Sequence, residues 1–168
     1  MFAARDCHAR GVWPSAWPAP AQLASVWGVD LDPRRVRAGR LALGARAALE
    51  IGDLRTAAIP PSDAIVLLDV LHYVPPEAQR AVLARSRRAL SDGGVLLLRV
   101  ADAGAGMRFR LTSLADRIAT VARGGPPRLY SRALPAWIAL LTELGFGDVR
   151  SAPMSACTPF ANVLLVAR

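Results

Sequence analysis

An α/β architecture is expected for this chain: three layers around a mostly parallel sheet, with an antiparallel hairpin at the C-terminal end. Three features point there. Short apolar runs alternate with stretches of helical periodicity. The runs carry apolar residues without polar alternation, as strands covered on both faces do. Two consecutive strand-like segments then close the chain without a helix between them, which breaks the strand–helix rhythm.

Residues 25–29 form the first of these runs, short and β-branched. Asp32 follows as a helix N-cap with Pro33 at the first helical position, and Val36, Arg40 and Leu43 continue at helical spacing to a stop at Gly44. Residues 48–51 are a second strand, ending at Gly52-Asp53, and residues 64–68 (AIVLL) a third, between Asp63 and Asp69. Pro75-Pro76-Glu77 opens a helix carrying Ala78, Val82 and Leu90, closed by Asp92-Gly93-Gly94. Residues 95–100 (VLLLRV) are a fourth strand. Residues 112–122 are expected to be helical. Residues 134–144 form a helix with Trp137, Leu140, Leu141 and Leu144 on one face and Gly145 as its stop. Residues 147–153 and 162–167 make the terminal hairpin. The proline- and tryptophan-rich stretch 12–22 does not support a regular helix.

The 168 residues suggest one domain, and 53% hydrophobic content with 20% charge makes it globular. Two cysteines, Cys7 and Cys157, and two histidines do not suggest a disulfide scaffold or a zinc cluster, so no metal is expected. The net charge of +8 comes from arginine alone, since the chain has no lysine. The arginines are scattered and aromatics are 6%, which reads as a solvated basic surface rather than a nucleic-acid interface. Such a surface favours an acidic partner through electrostatic steering. The start has mixed charge and no apolar core, and no run reaches the ~20 apolar residues of a membrane span, so a cytoplasmic location is expected. The heavy use of arginine and alanine points to a GC-rich bacterial source.

Ligands of open α/β sheets sit outside the carboxyl ends of the strands. Asp30, Asp53 and Asp69 stand at three such ends. A carboxylate there has two oxygens and can accept both protons of a diol. Asp53 reads equally as an ordinary turn residue, and His72 as a satisfied loop histidine or as a base. Arg108 and Arg110, in the loop after the fourth strand, are weaker candidates for holding an anionic group, and Tyr73 and Tyr130 for a pocket wall.

GVDLDP at 28–33, IGDL at 51–54, DAIVLLDVLHYVPPEAQRAVL at 63–83 and LSDGGVLLLRV at 90–100, in that order and spacing, resemble the class I S-adenosylmethionine-dependent methyltransferases. The terminal LTELGF…NVLLVAR segment is similar too. The resemblance implies a Rossmann-like sheet, S-adenosylmethionine as cofactor, and a cofactor-binding set of Gly11, Asp30, Leu31, Gly52, Asp53, Leu54, Asp69, Val70 and Leu71. Asp30 would take the ribose hydroxyls and Asp53 with Leu54 the adenine. Asp69, Val70 and Leu71 would flank the methionine part, and His72 would be the catalytic base. The acceptor would be a small molecule or a group on an acyl carrier. One departure stands out. Gly11 occupies the last position of the family's glycine-rich loop, but Cys7 and Ala9 fall on the two earlier ones and Arg5 on the preceding acid. The first strand, central in the family sheet, is therefore expected to be short or missing. A non-catalytic remnant of the same fold, serving as an interaction module, is the other reading these residues allow.

Overall fold

The computed structural model describes residues 25–122, 129–154 and 158–168. Gly11, the rest of the glycine-loop region, the 12–22 stretch and both cysteines lie outside the described residues. The chain divides into two compact units, Met1–Ala57 and Ala58–Arg168.

In the first unit, β1 (Trp27–Asp30) and β2 (Ala48–Ile51) pair in parallel, Trp27 opposite Ala48 and Asp30 opposite Ile51. Helix α1 (Pro33–Leu43) makes the crossover that a parallel pair requires. Its start is the expected one. The Asp32 carboxylate accepts from the Arg34 N–H at 2.9 Å, and Pro33 takes the first turn, where a missing N–H costs nothing. Val36 is the residue that α1 buries. The first strand begins at Trp27 rather than 25 and runs one residue further, through Asp30.

The second unit holds a four-stranded sheet in the order β3-β4-β6-β5. β3 (Ser62–Leu68) pairs in parallel with β4 (Leu90–Ala101) through helix α2 (Pro76–Ala89). β6 (Asn162–Ala167) lies antiparallel between β4 and β5 (Val149–Pro153), so the terminal hairpin is present and its second strand is the inner one. Helices α3 (Met107–Ala122) and α4 (Leu134–Glu143) stand between β4 and the hairpin in sequence. Among the described residues, β1 and β3 each have a strand neighbour on one edge only.

One sheet face of this unit is core. Ile65, Leu67, Leu96, Leu98, Val163 and Leu165 are all buried, and the register sets Leu67 beside Leu98 and Leu98 beside Leu165. Val82 and Leu83 of α2 and Trp137 and Leu141 of α4 complete it. On the opposite face Leu97 of β4 and Leu164 and Val166 of β6 are half-buried, while Val66 and Leu68 of β3 are 47% and 46% exposed. Helix α3 likewise exposes Met107, Leu111, Leu114, Ile118 and Val121.

The helix expected to close at Asp92–Gly94 ends earlier, at Ala89, and Leu90 opens β4 instead of lying on the helix face. The turn-forming residues are used as a bulge. Between Ser62 and Ala64 of β3 the partner shifts from Leu90 to Val95, and the extra residues loop out with Ser91 Oγ on Asp63 Oδ1 at 2.6 Å. Gly94 is needed there, because a Cβ would meet the Ser91 carbonyl oxygen at 2.9 Å. Helix α3 begins five residues earlier than expected and includes Arg108 and Arg110, which are exposed on it rather than held in a loop. Helix α4 stops where Gly145 takes a φ of 88°. No helix among the described residues is long and apolar enough to cross a membrane.

Truncating Leu98, fully buried between two strands, to alanine is expected to lower the unfolding free energy by about 2–5 kcal/mol. Val66→Ala, at an exposed position of the same sheet, should cost less than ~1 kcal/mol. Urea denaturation of the two variants beside the parent protein checks the contrast.

Candidate functional site

In the first unit, parallel pairing puts the carboxyl ends of β1 and β2 at one edge. The Gly52 N–H donates to the Asp30 carbonyl at 3.1 Å, which carries the ladder one step past β2 and sets Asp30 beside Gly52-Asp53. The Asp30 carboxylate is half-buried. Its Oδ1 accepts from the Asp32 N–H at 2.8 Å, and its Oδ2 has a long contact of 3.4 Å from Arg35 Nη1. Asp30 thus orients the turn into α1 and keeps an oxygen that a hydroxyl can reach. Leu31, next to it, is 68% exposed.

Asp53 is engaged more fully. Its Oδ1 accepts from the Arg55 N–H at 2.8 Å, and its Oδ2 from Arg55 Nε at 2.8 Å and Nη2 at 2.6 Å. Hydrogen bonding from the Arg55 guanidinium holds the carboxyl below its ordinary value, against a smaller opposing effect of burial. A carboxylate offers about four lone-pair positions, so one more N–H donor can still be taken. The Asp53 carbonyl accepts from the N–H groups of Thr56 and Ala57 at 3.0 and 2.8 Å, which closes the turn. Gly52 and Leu54 flank Asp53 in this turn.

In the second unit, Asp69 ends β3 with a φ of 54°, the positive-φ position among described non-glycine residues. Asp is one of the few side chains that enter this region at small cost. The Asp69 N–H donates to the Arg99 carbonyl at 3.2 Å. The carboxylate faces the same residue: Arg99 Nε lies 3.0 Å from Oδ1, and Nη2 contacts Oδ2. Asp69 therefore has its charge compensated within the chain by Arg99, with its side chain still partly exposed.

Val70 leads into a one-turn 3₁₀ helix, Leu71–Tyr73. Leu71 is 1% exposed and His72 7%. Leu71 thus anchors the turn in the core rather than lining an open surface. His72 Nε2 is buried with no hydrogen-bond partner among the described residues, and the Tyr73 ring lies 4.1 Å away, centroid to centroid. Burial pushes the imidazole below its ordinary value, and the negative charges of Asp116 and Asp69 push the other way less strongly. Trp137 Nε1 is likewise buried with no partner among the described residues, and each such atom carries a desolvation cost.

Sequence reasoning did not identify Arg99, Asp116 and Gln79 as site residues. Arg99 had a signal, the one charged side chain inside VLLLRV. Gln79 had another, since it lies on the buried face of α2 with Val82, Leu83 and Ser86. Asp116 had none, because α3 reaches His72 only through the fold. Among the described residues no cluster of three or more His, Cys, Asp or Glu could hold a metal ion.

Folded His72 favours its neutral form, so its protonation equilibrium lies below the unfolded value of ~6.5. The unfolded chain then binds more protons between those two values. The stability this group contributes is complete above ~6.5 and is lost as pH falls through the folded value. The melting temperature should therefore fall between pH 7 and pH 5, with a shallower slope in His72→Gln; differential scanning calorimetry across that range checks it.

A family model described as a methyltransferase domain matches residues 11–94, half of the chain. Carboxy-S-adenosyl-L-methionine synthase of Chromohalobacter salexigens is 39% identical over 84 residues, 47% of this chain and 31% of that protein. Among solved structures, human N-acetylserotonin methyltransferase in complex with S-adenosylmethionine aligns with 86% of this chain and 39% of its own, at 18% identity and a TM-score of 0.61. An O-methyltransferase family protein from Burkholderia thailandensis aligns with 86% of this chain and 42% of its own, at 17% identity and a TM-score of 0.66. At these identities the solved structures share the fold. The chain spans less than half the length of each of these proteins.

Proposed function

Because the chain belongs to the class I methyltransferase family, we propose that it uses S-adenosylmethionine to methylate a small-molecule or carrier-bound acceptor. The observation that carries this reading is Asp30 and Asp53 together at the carboxyl edge of a parallel strand pair, each with accepting capacity left. The donor set fits an adenosyl nucleoside. Asp30 Oδ2, touched only by a long Arg35 contact, suits a ribose diol, and Asp53 suits one exocyclic N–H. Leu31, Gly52 and Leu54 stand beside these two carboxylates, and the family resemblance, not a measured arrangement, assigns the methionine moiety to Asp69, Val70 and Leu71 after β3.

The bound cofactor supplies an activated methyl group on a sulfonium that is already a good leaving group. What the chain adds is position, since the acceptor atom must come to ~3–3.5 Å of the methyl carbon, in line with the bond that breaks. His72 is the base for an acceptor whose proton must be removed. With its proton on Nδ1, the neutral ring would present an unshared pair on Nε2, the buried nitrogen that has no partner among the described residues. Asp69 and Asp116 stabilise the imidazolium that forms when the proton arrives. A solvated arginine-rich surface supports an acidic acceptor or carrier through steering.

Isothermal titration with S-adenosylhomocysteine tests the reading. Saturable binding is expected, weakened about ten- to hundredfold in Asp30→Ala by loss of charged hydrogen bonds. His72→Gln should keep that affinity and lose about 10²–10⁴ in kcat on a proton-bearing acceptor. A parent chain that gives no heat, and no thermal shift with either nucleoside, is the non-catalytic interaction module instead.

A further inference from the structure

Gln79 is the polar side chain on which the His72 turn is hung. It stands on α2, fully buried. Its Nε2 lies 3.1 Å from the Leu71 carbonyl, 3.1 Å from the Val74 carbonyl and 2.8 Å from the Tyr130 carbonyl. Its Oε1 accepts from Arg132 Nε at 2.8 Å. Three acceptors at one end and a guanidinium donor at the other settle which way the amide points, because the flipped amide would set an oxygen against three carbonyl oxygens.

The two carbonyls on the His72 side belong to the residues that bracket its turn. Leu71 precedes the histidine, and Val74 follows Tyr73. The histidine's own carbonyl accepts from the Tyr130 N–H at 2.8 Å. Tyr130 in turn gives its carbonyl to Gln79. One amide thus ties the strand-to-helix turn that carries His72 to the 130–132 segment that precedes α4. Arg132 completes the arrangement. Its Nη2 lies 3.3 Å from the Pro76 carbonyl at the start of α2, and its guanidinium lies over the Trp137 ring, 5.6 Å from the centroid. A salt-bridge partner is not what Arg132 is for here; it holds the far end of the Gln79 amide so that the near end can donate.

We infer that Gln79 and Arg132 form a clamp that positions His72, fixing both the direction of its imidazole and its exclusion from water. This rests on the reading of His72 as the base, and it adds two positioning residues to that step. Geometry alone requires the turn to be held, because a side chain on a one-turn 3₁₀ helix has no long element behind it to set its direction. Among the described residues, the charges of Asp116 on α3 and of Asp69, itself paired with Arg99, act on the imidazole, and the Tyr73 ring lies against it from the same turn. Of these only Asp69 and Asp116 act on its charge, and both favour the protonated form. Release of the clamp admits water to a group that burial now keeps neutral. The imidazole should then titrate higher.

The test needs no acceptor. The chain has two histidines, His8 and His72, so two imidazole signals are expected in proton–carbon NMR, and His8→Gln assigns them. In Gln79→Met, which keeps the length of the side chain and removes all four polar contacts, the His72 midpoint should rise from its parent value toward ~6.5. In Arg132→Met, a change at a half-buried side chain that leaves the fold decidable, it should move the same way by less. Amides of residues 71–74 should exchange faster in both. Gln79→Glu keeps the Arg132 contact but turns an oxygen toward three carbonyls, so it should behave like the methionine variant rather than rescue the parent. His72 titrating at one midpoint in the parent and in Arg132→Met, with unaltered exchange at 71–74, overturns the clamp whether or not Gln79→Met folds. Undiminished methyl transfer by His72→Gln overturns the base reading separately, and a shifted midpoint in the Gln79 variants would still stand as evidence for the clamp.

Discussion

Parallel pairing of β3 with β4 is the constraint from which the second unit follows. Two parallel neighbours cannot be joined by a tight turn, so the chain must leave the carboxyl end of β3, cross the sheet as α2 and re-enter at the far end as β4. That route puts residues 69–75 at the carboxyl edge whatever their chemistry. It also sets Arg99, the partner of Leu68 in the register, beside the first residue after the strand. Asp69 meets Arg99 for that reason, and His72 is carried into the interior by the same turn. The first unit repeats the logic with β1, α1 and β2, where Asp30 ends one strand and Gly52-Asp53 follow the other.

Arginine carries every cationic side chain of this protein, and its planar fork shapes how carboxylates are held. Arg99 meets Asp69 through two nitrogens, Arg55 meets Asp53 through three including its backbone, and Arg80 meets Glu143 through two at 2.8 and 2.6 Å. The exposed pairs contribute little to stability, since water and salt screen them. Their effect is orientation. Asp53 is turned toward its own loop and keeps one acceptor direction, whereas Asp30, with a single distant guanidinium, keeps more. The two carboxylates at one edge are thereby made unequal.

Burial does for His72 what charge does for the carboxylates. Around the buried imidazole the Leu71 and Val74 carbonyls accept from Gln79, and the His72 carbonyl accepts from the Tyr130 N–H. The Thr112 hydroxyl performs the same service for α3, donating to the Arg108 carbonyl at 2.9 Å and accepting from the Ala161 N–H at 2.9 Å. That contact seats α3 against the start of β6 and brings Asp116 to bear on the histidine, while the apolar stripe from Met107 to Val121 faces outward.

The local sequence determined those features that a few neighbouring residues can enforce. Asp32-Pro33 starts a helix because a carboxylate caps the next N–H groups and proline lacks one. Gly145 ends another because it can enter positive φ. Runs such as AIVLL become strands, and their ends locate Asp30, Asp53 and Asp69, with His72 just beyond the last. Where only turn chemistry was legible, as at Asp92-Gly93-Gly94, its use was decided elsewhere: pairing with β3 drew Leu90 into the sheet and made a bulge of the turn. The contacts that tune the site were likewise settled only by the fold. Arg99 finds Asp69 across 30 residues and Arg132 finds Gln79 across 53, and no local preference selects either partner. Such pairs form because the sheet and helices bring polar groups into a space without water, where each must take whatever partner the packing has left beside it.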